Sequence, residues 1–109
     1  ALGLSLVRQK RLAEALPKLA DAAGQDPANA RYPYVYAVAL QSAGQLDQAL
    51  DVLAHAGERH PGDPEILLAL ATFNRDAGRR EQALDYARRL QTVLPGNPSV
   101  DNLVRELGP

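Results

Sequence analysis

Residues 60–64 read "HPGDP" and residues 94–98 read "LPGNP". The stretches lie 34 residues apart and share a Pro-Gly-x-Pro core. Working outward, the same interval recurs. Pro27, Pro61 and Pro95 are spaced by 34 and 34. So are Ala15, Ala49 and Ala83, each followed by Leu in "EAL", "QAL" and "QAL". Gly44 and Gly78 keep the interval, and Lys10 stands where a first unit would have its glycine. In this register "SAGQLDQALD" (42–51) matches "DAGRREQALD" (76–85). A period of this length marks a repeat architecture in which each unit buries its apolar face against the next.

Within each unit the apolar period is helical. Ile66, Leu70, Phe73 and Ala77 form one stripe, with Leu67, Ala71 and Asn74 beside it. Gly78 interrupts, and Ala83, Ala87 and Leu90 follow, flanked by Leu84 and Leu94. Val35, Tyr36, Ala39, Leu40 and Ala43, then Ala49, Leu50, Leu53 and Ala56, repeat the pattern one unit earlier. Each unit is therefore expected to be helix, tight turn, helix and proline break. Pro61 and Pro95 cannot continue a helix, and each restricts the residue before it. Gly62 and Gly96 tolerate positive φ at the helix exit. Asp63 and Asn97 are expected N-caps, with Pro64 and Pro98 at the first helical position, where no N–H is needed. Asn29 is the expected cap of the earlier unit. Pro17 falls inside a helical stretch and is expected to kink it or cost about 3 kcal/mol.

The chain has 109 residues, 46 % of them hydrophobic and 23 % charged. That suits one ordered domain. It begins at Ala1 inside an apolar pattern and reads as a piece of a longer protein. The net charge of −1 gives no general grip on nucleic acid. No apolar run approaches the roughly 18 residues of a membrane span, so no membrane insertion is expected. The absence of Cys excludes disulfides, thiolate metal sites, Cys nucleophiles and covalent haem attachment within these residues.

Nothing reads as catalytic or metal-binding, and no cofactor is expected. His55 and His60 are five apart, roughly 140° around a helix, and do not converge; both read as exposed. Asp47, Asp51, Glu81 and Asp85 fall on outer faces. Arg79-Arg80 and Arg88-Arg89 form a basic concentration that Asp76, Glu81 and Asp85 offset, with Glu81–Arg88 or Asp85–Arg89 as candidate helix pairs.

The set resembles the tetratricopeptide repeat. It comprises the period of 34, the pairs Leu2-Gly3, Tyr36-Ala37 and Leu70-Ala71, the turn residues Gly44 and Gly78, the small residues Ala15, Ala49 and Ala83, and the closing Pro27, Pro61 and Pro95. The resemblance implies an all-α solenoid of antiparallel helix pairs. The expected units are a partial one at 1–29, two full ones at 30–63 and 64–97, and a capping helix at 98–109, with Val100, Leu103, Val104 and Leu107 inward. Tryptophan, frequent early in family repeats, is replaced by Pro33 and Leu67, and Asn74 stands at a usually apolar site.

The resemblance also implies a non-enzymatic scaffold with a protein or peptide partner on the concave side. Carried over residue by residue, the groove comprises Leu4, Val7 and Arg8; Arg31, Tyr34, Val38, Gln41 and Ser42; Glu65, Leu68, Thr72, Arg75 and Asp76; and Asn102 and Glu106. Tyr34 falls on the groove side, whereas Tyr32 and Tyr36, about 160° away from it around the helix, are expected to pack. Leu4, Val35, Glu65 and Ala69 occupy the sites at which one subclass grips acidic chaperone tails with Lys, Asn and Arg, so that clamp is not expected. Leu2, Leu4 and Leu6 suggest an apolar N-terminal edge through which the chain would form a homodimer or serve as a structural spacer. Residues 29–50 are also similar to repeat tails of some bacterial multihaem cytochrome-type proteins. That likeness implies a periplasmic assembly element, with any haem outside these residues.

Overall fold

The computed structural model describes the backbone of residues 2–26 and 28–108, and the side chains of 11–26 and 28–108. Six helices follow in order: α1 (Leu2–Gln25), α2 (Arg31–Ser42), α3 (Leu46–Arg59), α4 (Pro64–Asp76), α5 (Arg80–Val93) and α6 (Pro98–Leu107). Each packs on the next in sequence, and α2 also touches α4. The shortest dimension is 20 Å, about two helix diameters. The chain is thus a two-layer stack of antiparallel helices.

Small residues set how closely the layers approach. Ala37 and Ala49 are wholly buried in the first cluster, with Leu40, Leu53, Ile66 and Leu70. Ala71, Ala83 and Ala87 are wholly buried in a second, closed by Leu103 and Leu107 of α6. Leu67, Leu90 and Val100 form a third. The expected inward stripes of α3, α4, α5 and α6 are found at these positions, except that Ala77 and Val104 are only half-buried against the first and second clusters. Gly57 marks another close approach: a Cβ there would lie 3.1 Å from Leu70 Cδ1.

The joints work largely as their sequence implies. Asp63 Oδ1 accepts from Ile66 N at 3.1 Å, and Asn97 Oδ1 accepts from Ser99 N and Val100 N at 3.0 and 3.2 Å. Pro64 and Pro98 open the following helices. Gly44 and Gly78, at φ 80° and 79°, make the tight turns within each pair. Asn74 is buried, and its Nδ2 donates to Leu70 O at 2.7 Å. Its own helix thus satisfies an amide at a site expected to be apolar.

Several expectations need correction. No turn occurs at Lys10, and α1 runs unbroken for 24 residues. Lys10 lacks glycine's access to positive φ, and the surrounding Arg, Gln, Lys and Leu are good helix formers. Pro17 lies inside this helix, as expected. Asn29 is not the α2 N-cap: Ala30 holds that position, while Asn29 Oδ1 accepts from Arg31 N at 3.0 Å from one residue further out. Gly62 does not share the positive φ of Gly96 (76°), although Asp63 N–His60 O and Asn97 N–Leu94 O close equivalent turns. Val35 and Ala43 are exposed rather than inward, Ala43 standing at the C-cap of α2. Pro27 lies outside the described residues.

The two joints should therefore respond differently to one substitution. Gly96→Ala forces a side chain into the left-handed region and should cost about 1–2 kcal/mol in urea unfolding. Gly62→Ala has open space around it and should be neutral or stabilise by about 0.4–1 kcal/mol. Separately, Ala71→Leu overfills a wholly buried site and should lower stability by roughly 1–3 kcal/mol in the same measurement.

Candidate protein-binding face

The first helices of successive pairs, α2 and α4, together with α6, present one continuous face. Two ion pairs fix their alignment. Arg31 Nη1 on α2 lies 3.3 Å from Glu65 Oε1 on α4. Arg75 Nη1 on α4 lies 3.5 Å from Glu106 Oε1 on α6, and Arg75 Nε also reaches Asp76 at 3.5 Å. The members of the first pair are 34 residues apart, so the sequence period becomes a lateral contact. These side chains are largely exposed, and each such pair contributes at most about 1 kcal/mol.

Between the ion pairs the face is apolar. Leu68 is 45 % exposed and Val38 36 % exposed. Both stand on helices whose other faces are buried, and neither belongs to a core cluster. Gln41 is half-buried and Asn102 exposed. Thr72 is half-buried, and its hydroxyl donates to Leu68 O at 3.0 Å, within its own helix. Leu4, Val7 and Arg8 lie outside the residues whose side chains are described, as do Leu2 and Leu6.

The tyrosines sort differently from the helical-angle expectation. Tyr32 is 38 % exposed and does not pack inward. Tyr34 and Tyr36 are both half-buried against the first cluster. Helix α2 is covered on two sides, by α1 and α3 and by α4, so residues on nearly opposite angles can both be partly buried. Tyr34 is thus partly buried against the core rather than fully presented to solvent.

Charges away from this face are structural. Arg80 Nε donates to Leu107 O at 2.8 Å and Nη2 to Glu106 O at 2.9 Å, placing a guanidinium on the last carbonyls of α6. No local pattern in the sequence announces this contact, which spans 27 residues. Arg79 pairs with Asp47 at 3.7 Å, and Arg89 with Asp85 at 2.8 Å, the expected helix pair. Gln91 Nε2 donates to Asp101 Oδ1 at 2.9 Å, tying α5 to α6. Asp47, Asp51, Glu81 and Asp85 are exposed, and so is His55. His60 is half-buried at the C-cap of α3, not exposed as expected.

The tetratricopeptide repeat family model matches residues 6–72 and again 40–107. The chain belongs to the tetratricopeptide repeat family, whose fold serves protein–protein interaction. No curated protein matches its sequence. Among solved structures it is similar to the Yersinia enterocolitica type III secretion chaperone SycD in complex with a peptide of the translocator YopD. The match has 14 % identity and TM-score 0.77, over 97 % of this chain and 86 % of that one. It is similar to PcrH from Pseudomonas aeruginosa in complex with the chaperone binding region of PopD, at 19 % identity and TM-score 0.69 over 99 % and 81 %. A third likeness is to the Arabidopsis OM64 TPR domain, at 20 % identity and TM-score 0.75 over 96 % and 87 %. At these identities the likeness establishes the fold. No described helix is long and apolar enough to cross a membrane.

Removing the Arg80 guanidinium should loosen the end of the stack. Arg80→Ala should cost roughly 1–2 kcal/mol, and amide exchange should rise first over residues 103–107. Arg88→Ala, on the same basic stretch with an exposed side chain, should change stability by less than about 0.5 kcal/mol.

Proposed function

We propose that the chain is a protein-interaction scaffold that holds an extended segment of a partner protein along the α2–α4–α6 face. The observation that carries this reading is Leu68, a large apolar side chain 45 % exposed on α4, with Val38 36 % exposed on the adjoining α2. The two lie between cross-helix ion pairs on an otherwise well-buried fold. An apolar strip within a polar frame suits an interaction surface. Tyr34 offers an apolar body and a polar hydroxyl at its edge. Arg31 and Arg75 already engage Glu65 and Glu106. An incoming carboxylate would compete for them, so the apolar strip carries affinity and the charges set register. SycD and PcrH, each solved with a segment of a translocator protein, supply the fold-level analogy.

A second reading rests on a separate observation. Tyr32 and Val35 are 38 % and 36 % exposed, whereas the residues one period later, Ile66 and Ala69, are 0 % and 4 % exposed. The N-terminal side of α2 is therefore an uncovered stacking face. It supports self-association or a spacer role, and it adds α2 residues to the apolar edge expected at Leu2, Leu4 and Leu6. The link to multihaem cytochrome-type proteins rests on the sequence likeness of residues 29–50 alone.

Panning a random peptide library on the immobilised chain tests the first reading. Selected peptides should lose about tenfold or more in affinity against Leu68→Ala and against Tyr34→Ala, as expected for central contacts. Unchanged affinity in both variants would remove the face from consideration. Light scattering over a concentration series tests the second: self-association that Tyr32→Glu with Val35→Glu abolishes supports it, and a monomer throughout rejects it.

A further inference from the structure

The clefts between units repeat with the period of the chain. One, of about 480 Å³, lies between the end of α1, the first half of α2 and the second half of α3. Another, of about 320 Å³, lies between α3, α4 and α5. Their walls correspond residue by residue: Ala23 with Gly57, Pro33 with Leu67, Tyr36 with Leu70, Val52 with Tyr86, and His55 with Arg89. Each pair is 34 residues apart. The clefts are one structural position occurring twice, furnished with different side chains.

The difference lies in what lines them. In the second cleft Tyr86 packs against all three hydrophobic clusters. The Arg89 guanidinium lies 5.2 Å from the Tyr86 ring centroid and is held by Asp85 at 2.8 Å. This stacked pair lines the second cleft and narrows it to about 320 Å³, against about 480 Å³ for the first. In the first cleft Val52 replaces the ring and reaches only the first cluster. His55 stands exposed where Arg89 stacks. Among the described residues, Pro33, Tyr36 and Val52 form the apolar wall of the wider cleft. Its rim carries His55 and Arg59 against a single carboxylate, Glu58. Among the described residues Arg59 is engaged in no ion pair.

We propose that this first cleft is a second binding site, which takes an aromatic side chain of a partner protein flanked by carboxylates. The ring sits where Tyr86 sits one unit later, against Pro33, Tyr36 and Val52. The flanking carboxylates face Arg59, whose charge they complement, with the His55 ring beside it on the rim. The chain itself supplies the template for the ligand: the period places a tyrosine ring under a cation in the narrower cleft and only the smaller Val52, with no stacked cation, in the wider one. None of the α2–α4–α6 face residues lines this cleft, so the site stands independently of the scaffold reading above.

The test is a titration of the full chain, followed by its amide NMR spectrum, with acetyl-Glu-Phe-Glu-amide. Acetyl-Glu-Ala-Glu-amide and acetyl-Lys-Phe-Lys-amide are the controls. The first peptide should shift the amides of Val52, His55 and Arg59 with a Kd of about 1 mM or tighter, and both controls should bind about tenfold more weakly. Val52→Tyr with His55→Arg, which copies the narrower cleft, should abolish the response. His55→Glu with Arg59→Glu changes two exposed side chains, leaves the core untouched, and should weaken binding about tenfold. It decides the matter if the filling variant does not fold. No shift at about 10 mM peptide, an equal response to the alanine peptide, undiminished binding after charge reversal, or shifts confined to Val38 and Leu68 would each overturn the proposal.

Discussion

The structure depends on the close approach of helices at wholly buried alanines. Ala37 and Ala49 in one pair, and Ala71 and Ala83 in the next, have no accessible surface. A methyl group at each position lets backbones pack at the near limit of helix–helix separation. Larger side chains then interlock around them: Leu40, Leu53, Ile66 and Leu70 in the first cluster, Leu103 and Leu107 beside the second. The alanines recur every 34 residues, so each pair has wholly buried methyl groups at the same places. Gly57, where even a Cβ would press on Leu70, extends this constraint to the contact between pairs.

Once the spacing is set, the faces follow. The first helices come side by side, and residues one period apart become lateral neighbours, as Arg31 and Glu65 show. Helix α6 packs on α5 with Val100, Leu103 and Leu107 inward and Asn102, Arg105 and Glu106 outward. Arg80 and the Gln91–Asp101 bond fasten that helix by polar contacts made along its length and at its final carbonyls. Helix α2 packs on α1, a single long helix, and Tyr32 and Val35 keep surface that their period mates bury.

Repetition of a backbone does not imply repetition of chemistry. Val52 and Tyr86 occupy the same place in successive units, yet one touches one hydrophobic cluster and the other joins three. His55 and Arg89 likewise share a position, and only the arginine finds a ring to stack on. A few substitutions within a fixed frame therefore convert a narrower cleft into a wider one. Function in such a protein is read from the differences between units, whereas the fold is read from what they share.

The sequence by itself determined the fold class, the period and the mechanism of the joints. Proline, glycine, aspartate and asparagine act there through local backbone geometry, and Asp63–Ile66 and Asn97–Val100 are contacts within three residues. It also marked the inward stripes of α3 to α6, because helical periodicity is a local property. Tertiary structure alone decided the rest. Gly62 and Gly96 share a motif and differ in φ. Lys10 permits a helix to continue where a glycine would have turned it. Tyr34 is half-buried because α4 lies beside α2, and Tyr32 is exposed because nothing equivalent covers it. The fastening of α6 by Arg80 and the unequal clefts depend on residues tens of positions apart, whose meeting the stacking of the helices fixes and no local pattern encodes.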